Sequence, residues 1–223
     1  MTLRQEIEAF VADTAGRMPP ELITDIERSI EDVRVSGILE RALSEGDLAP
    51  PFTLPNASGK PISLRDHLRR GPVIITFYRG VWCPYCNLEL QAYQRLLPEI
   101  RAAGGDLIAI SPQTPDNSER TISSNAIDFE VLSDHGNGVA AEFGIAYSTP
   151  DAVRRTTAMF GVDIDAVNGA TNSELPISAT YVVGADRRIA LASVEADFRV
   201  RLEPADALAA LRALAYAPAP AQA

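Results

Sequence analysis

An α/β fold with a central mixed sheet flanked by helices, preceded by an N-terminal helical extension, is what the apolar pattern of this chain predicts. Three observations carry that expectation. Residues 72–78 (PVIITFY) and 106–111 (DLIAIS) are short β-branched apolar runs typical of buried strands, and the amphipathic stretch CNLELQAYQRLLPEI lies between them. Strand, helix, strand is a βαβ unit with a parallel pair and a right-handed crossover. Later, ATYVVGADRRIALASV sets two β-rich runs around a GADR turn, a hairpin. The first 45 residues instead show helical spacing: Leu3, Ile7, Phe10 and Val11, then Leu22, Ile26, Ile30 and Val33 after the break RMPP.

Taken in order, the two N-terminal helices must bury their apolar faces, either on their own domain or on a second subunit in a homodimer, and both alternatives are open. Residues 46–66, GDLAPPFTLPNASGKPISLRD, read as a loop with short strands forming a hairpin around NASGKP. Strand 72–78 leads into the helix from Cys86, where Leu90, Tyr93 and Leu97 share a face and Pro98 marks a kink or a stop. After strand 106–111 come a loop and helix in SPQTPDNSERTISSNAIDF, a strand at Glu130–Asp134, and a short helix in NGVAAEFG. STPDAVRRTTAMFG starts as a helix should, with Thr149 as N-cap, Pro150 at the first position and Asp151 in the first turn. DIDAVNGATNSELP reads as loop, PADALAALRALAY as a helix led by Pro204, and APAPAQA as a disordered tail. The expected division is an extension at 1–45, a domain at 46–216 and a tail at 217–223.

Bulk composition removes several function classes. The 223 residues carry a formal charge of −10, which argues against a non-specific nucleic-acid surface or an anionic membrane surface, since phosphate binding needs a basic field. Lys60 is the only lysine and sits in a turn, so Schiff-base chemistry is not suggested. No basic segment followed by an apolar run opens the chain, and no apolar stretch is long enough to span a bilayer. With two cysteines only, two intervening residues apart, there is no disulfide framework, and a reducing cytoplasmic setting is expected.

Those cysteines, Cys83 and Cys86, lie in FYRGVWCPYCNLE beside the only tryptophan, Trp82. The stretch follows a buried strand and opens a helix, where unpaired N–H groups and the macrodipole favour a thiolate. The CxxC gap lets both sulfurs meet within one helical turn, so a reversible Cys83–Cys86 disulfide can form. Arg79, four residues earlier, can add positive charge or lie exposed. Zinc is not expected, because the remaining candidates, His67 and His135, lack ligand spacing. Trp82 and Tyr85 also read as core aromatics.

Two family motifs overlay the same residues. Trp82, Cys83 and Cys86 match the W-C-x-x-C motif of thioredoxins, and the chain resembles the thioredoxin fold. Phe77, Tyr78, Cys86 and Glu89 resemble the peroxiredoxin motif (the alkyl hydroperoxide reductase and thiol-specific antioxidant family): F-Y-P, a threonine three residues before the peroxidatic cysteine, then C-x-x-E. The entrance segment 46–66 and the downstream DLIAISPQTP, VLSD and ATYVVGADRRI fall in that family's order, so the resemblance covers about residues 46–214, and the whole chain looks like a subgroup carrying YRGxWCPYC. Arg79 stands where the family has proline and Cys83 where it has threonine. Ser178 stands where peroxiredoxins often carry a pocket arginine and thioredoxins a cis-proline, with Pro176 two residues earlier, and Phe77 occupies the position of the buried thioredoxin aspartate.

The resemblance implies a thiol peroxidase. Cys86 would attack the peroxide and become a sulfenic acid, Cys83 would resolve it as the Cys83–Cys86 disulfide, and thioredoxin or a similar dithiol would reduce that bond. Glu89 would orient a base or relay a proton, unless it is a solvated helix acid. No cofactor is implied. Two other readings stand beside it: a thiol–disulfide oxidoreductase in which Cys83, nearer the helix end and more exposed, attacks a partner disulfide, and a redox-sensing thioredoxin-like module.

Overall fold

The computed structural model describes residues 1–169 and 173–215, so the tail expected at 217–223 lies outside the described residues. In chain order the elements are α1 (Leu3–Thr14), α2 (Pro20–Val35), α3 (Ile38–Arg41), β1 (Thr53–Pro55), β2 (Pro61–Ser63), α4 (Leu64–Leu68), β3 (Val73–Phe77), α5 (Pro84–Ala102), β4 (Asp106–Ser111), α6 (Pro115–Asn125), β5 (Glu130–Ser133), α7 (Gly138–Glu142), β6 (Ala146–Ser148), α8 (Asp151–Met159), α9 (Ile164–Asn168), β7 (Glu174–Pro176), β8 (Ser178–Val183), β9 (Ile189–Glu195) and α10 (Pro204–Ala215). The central sheet runs β5-β4-β3-β8-β9. Strands β3, β4 and β5 are parallel, whereas β8 and β9 are antiparallel to their neighbours, so the βαβ unit and the hairpin meet in one mixed sheet. β3 is buried throughout because both sheet faces are covered: Val73, Ile75 and Phe77 point into one apolar cluster, and Ile74 and Tyr78 into the other. The 46–66 segment holds the expected hairpin, β1 pairing with β2.

The N-terminal helices pack on their own chain. Leu3 and Ile7 join the cluster that contains α5, and the Arg95–Glu6 ion pair at 2.7 Å ties α1 to that helix. Glu203, just before α10, accepts hydrogen bonds from the free backbone N–H groups of Leu3 and Arg4 at the start of α1. In α2, Leu22, Ile30 and Val33 are buried while Ile26 is half-buried, and Asp25 bonds Arg155 of α8. Val11 of the predicted α1 face is exposed instead.

Of the kink or stop open at Pro98 the structure excludes the stop, and two further local expectations are corrected. Pro98 does not stop α5, which continues to Ala102; burial of Leu97 and Ile100 against the sheet outweighs the one backbone hydrogen bond a proline forgoes. Helix α8 begins one residue later than predicted, with Pro150 as N-cap and no side-chain cap, and the Thr149 hydroxyl is buried without a partner. The stretch 163–176, expected to be loop, holds α9, whose first N–H groups are capped by Asp163, and β7, which pairs with β6. Ile164 and Leu175 provide the burial that a polar-looking sequence concealed.

Candidate active site

The cysteine pair sits where β3 ends and α5 begins. Gly80 makes the turn possible: its φ is +149°, and a Cβ there would lie 2.4 Å from Trp82 Nε1. Buried Gln113, from the loop after β4, fixes the next residues. Its Oε1 accepts from the Val81 N–H at 2.7 Å, and its Nε2 donates to the Thr121 hydroxyl at 2.9 Å. Asn87 donates back to the Val81 carbonyl at 2.7 Å. Cys83 is the N-cap of α5, Pro84 occupies the first position without wasting a donor, and the Cys83 sulfur accepts from the Cys86 N–H at 3.4 Å.

Both cysteines are free thiols and fully buried, which corrects the expectation that Cys83 is the more exposed. Apolar side chains of the cluster that contains α5, Tyr78 and Tyr85 among them, close over the two sulfurs together. Two guanidinium groups reach into this apolar setting. Arg79 Nη2 lies 3.2 Å from Cys83 Sγ, and Arg201 Nη2 lies 3.4 Å from Cys86 Sγ. Arg79 is buried, not exposed: its Cζ stands 4.0 Å from the Phe198 ring and 5.2 Å from the Trp82 ring, an aromatic clamp that fixes the charge over the first sulfur. Trp82 is half-buried and also packs against Val153, Ile164 and Leu175, the small cluster under α8 and α9.

Glu89 is buried, not solvated. One carboxylate oxygen pairs with Arg201 Nη1 and the other accepts from the Thr180 hydroxyl at 3.4 Å. Burial pushes its carboxyl above the ordinary value, and the Arg201 charge offsets only part of that. For Cys83, burial works to raise the thiol, but the Cys86 hydrogen bond and the charges of Arg79 and Arg201 prevail and hold it well below the ordinary value. For Cys86, burial raises the thiol, the hydrogen bond to Cys83 and the negative charge there raise it further, and the arginines do not compensate. Two sulfurs in contact share one negative charge, so the second proton is held tightly.

Cys83, Cys86, Arg79, Trp82 and Glu89 are therefore brought together. Ser178 begins β8, buried, its hydroxyl without a hydrogen-bond partner. No cis peptide bond is present among the described residues, at Pro176 or elsewhere. Sequence reasoning missed Arg201, Phe198 and Tyr147, the last of which feels burial first and then the Arg79 charge. ADFRVRLEP offers no signal that Arg201 turns inward while Arg199, two residues earlier, pairs outward with Glu27 and Asp197. No cluster of histidine, cysteine, aspartate and glutamate among the described residues is arranged to hold a metal.

A buried dithiol at a strand-to-helix junction of a five-stranded mixed sheet is the setting for the comparison with known proteins. Residues 46–192 match the profile of the AhpC/TSA family. The chain belongs to that family. Peroxiredoxin Bcp of Escherichia coli K12 is 30% identical over 103 residues, which cover 46% of this AhpC/TSA chain and 65% of the relative, just under two thirds of its length. A Mycobacterium tuberculosis protein with a provisional peroxiredoxin name is 31% identical over 150 residues, 67% of this chain and 84% of its own. Among solved structures, peroxidoxin BcpB from Mycobacterium tuberculosis matches with a TM-score of 0.60 at 24% identity, covering 77% of this chain and 98% of that one, a likeness of fold. The thioredoxin-like α/β fold expected from the sequence is thus the fold of this AhpC/TSA protein.

Proposed function

We propose that this protein is a thiol-dependent peroxidase that reduces hydrogen peroxide or organic hydroperoxides and is returned to its dithiol form by thioredoxin or a similar dithiol. The observation that carries the proposal is the placing of two buried guanidinium groups on the two sulfurs of a CxxC pair at a helix N-terminus. A thiolate attacks one peroxide oxygen, the O–O bond breaks, and negative charge moves onto the departing oxygen. Arg79 and Arg201 supply fixed donors in a site from which water is excluded, where such stabilisation is strongest. The sulfenic acid is then displaced by the second thiol, giving the Cys83–Cys86 disulfide and water. Either order of attack ends in that same bond. Glu89 serves by holding Arg201, and Trp82 by stacking on Arg79.

On this reading residues 46–216 form the catalytic unit and 1–45 an extension that braces α5 and α8. Among the described residues no helix is long and apolar enough to cross a membrane. A cytoplasmic location suits a pair that must be re-reduced after each turnover. A homodimer is compatible with it, since every residue of the cluster comes from one chain.

The test is peroxide consumption by the reduced protein, coupled to thioredoxin and its reductase, with insulin reduction measured in parallel. Turnover of hydrogen peroxide or cumene hydroperoxide, lost in Cys83→Ser and Cys86→Ser, is the expected result. A wild-type protein that reduces insulin disulfides but consumes no peroxide above background would refute the proposal in favour of the thiol–disulfide oxidoreductase reading, which the N-cap position of Cys83 also supports.

A further inference from the structure

Within the peroxidase reading, on which this inference rests, we propose that Cys83, not Cys86, carries the negative charge in the reduced protein and makes the first attack on the peroxide. Charge balance decides it. Arg201 already has a counter-ion, because Glu89 pairs with it at the same depth. Arg79 has none: the groups that surround it are Cys83, Cys86 and Tyr147, the rings of Phe198 and Trp82 clamp it, and its Nε has no hydrogen-bond partner. Among the described residues no carboxylate pairs with it. A buried, uncompensated guanidinium is costly, and the anion nearest to it is the sulfur of Cys83 at 3.2 Å.

The backbone points the same way. Cys83 is the N-cap, so its sulfur lies at the positive end of α5 and accepts the Cys86 N–H. Exposure does not separate the two sulfurs, which are equally buried, but the guanidinium that Cys86 faces is the one already paired with Glu89. The direction in which each thiol is shifted agrees with this assignment.

The chemistry balances. The Cys83 thiolate attacks the hydroxyl oxygen of ROOH, an S–O bond forms and the O–O bond breaks, and RO⁻ leaves as ROH by taking up a proton equivalent to the one the Cys83 thiol released to solvent on ionising. The Cys86 thiol then attacks the Cys83 sulfur and expels the hydroxyl group as water, with the proton from the thiol. Sulfur is oxidised by two electrons and the peroxide reduced by two; an external dithiol reverses the first change.

The thiolate absorption band and the site of sulfenic acid distinguish the two assignments. A cysteine at or above the ordinary thiol value is no more than about 3% ionised at neutral pH, so losing the thiolate costs the first step at least about thirtyfold. Cys86→Ser is expected to keep a thiolate band at neutral pH, weakened by no more than the loss of the Cys86 hydrogen bond, and to form sulfenic acid on Cys83. In the wild-type dithiol at neutral pH, one equivalent of iodoacetamide is expected to label Cys83 and not Cys86, since an ordinary thiol is at least about thirtyfold less ionised. Arg79→Met should weaken the neutral-pH band in the Cys86→Ser background, and Arg79→Lys should restore part of it. Alkylation of Cys86 ahead of Cys83 in the wild type, or loss of the neutral-pH band in Cys86→Ser, overturns the proposal. A band retained in Cys86→Ser with no peroxide consumed by any form upholds the charge assignment and refutes both the attack and the peroxidase reading.

Discussion

Replacing Glu89 by glutamine removes one charge and almost no volume, and burial sets the size of the effect. The Glu89 and Arg201 side chains are 3% and 2% exposed, so neither charge is solvated. Glutamine can still accept the Thr180 hydroxyl, and Arg201 keeps its bond to the Phe198 carbonyl at 2.9 Å. The loss is therefore confined to the charge pair. Breaking such a pair from one side leaves a buried unpaired ion and costs about 3–5 kcal/mol. At about 2–4 °C per kcal/mol for a chain of this size, the melting temperature falls by roughly 6–20 °C. Urea unfolding and thermal melting of the reduced protein, both followed by circular dichroism, measure the free-energy and temperature changes respectively. Arg201 would then lack a carboxylate, as Arg79 does now, and Cys86 becomes its nearest potential anion; its thiolate should form at lower pH than in wild type. The double variant Glu89→Gln/Arg201→Met should recover much of the stability, because both charges are gone. Glu89→Gln within about 1 kcal/mol of wild type, or no recovery in the double variant, would refute the argument that this pair carries opposite buried charges.

Phe198→Ala removes the ring 4.0 Å from Arg79 and should raise the pH at which the Cys83 thiolate forms, read from its absorption band; an unchanged titration would mean the clamp does not hold the charge. Gly80→Ala forces a side chain into a φ of +149° and against Trp82, so peroxide turnover should fall while circular dichroism shows the sheet retained. Gly144→Ala, with φ +74° and a Cβ 2.3 Å from the Arg41 carbonyl, should destabilise the protein by at least about 1–3 kcal/mol in urea unfolding without touching the cysteines. For Asp106, burial works to raise the carboxyl but the His67 hydrogen bond and the Leu107 N–H prevail and lower it below 3.8. Its stabilising contribution is therefore present above the unfolded value and lost as pH falls through the folded one, and Asp106→Asn should flatten the acid limb of the stability–pH curve.

The strands were legible because their signal is local. PVIITFY, DLIAIS and the runs around GADR state their burial in their own composition, and β3, β4, β8 and β9 fall where those runs are. The two cysteines, Arg79, Trp82 and Glu89 were legible for a related reason: one short stretch fixes their spacing, and a helix start converts that spacing into proximity. The helix at Ile164–Asn168 was not, because it depends on what packs against it from elsewhere in the chain.

The sequence by itself determined the sheet, the junction and the presence of a CxxC cysteine pair at that junction. Tertiary structure alone decided the electrical character of the two sulfurs. Arg201 stands 115 residues from Cys86, and Glu89 neutralises it only because the loop after β9 folds back across α5. Phe198, on that same loop, closes the clamp on Arg79. A charge is felt across a few ångströms of apolar interior whatever the distance along the chain. Which cysteine is the thiolate is for that reason a property of the folded cluster, and CxxC as a motif leaves it undetermined.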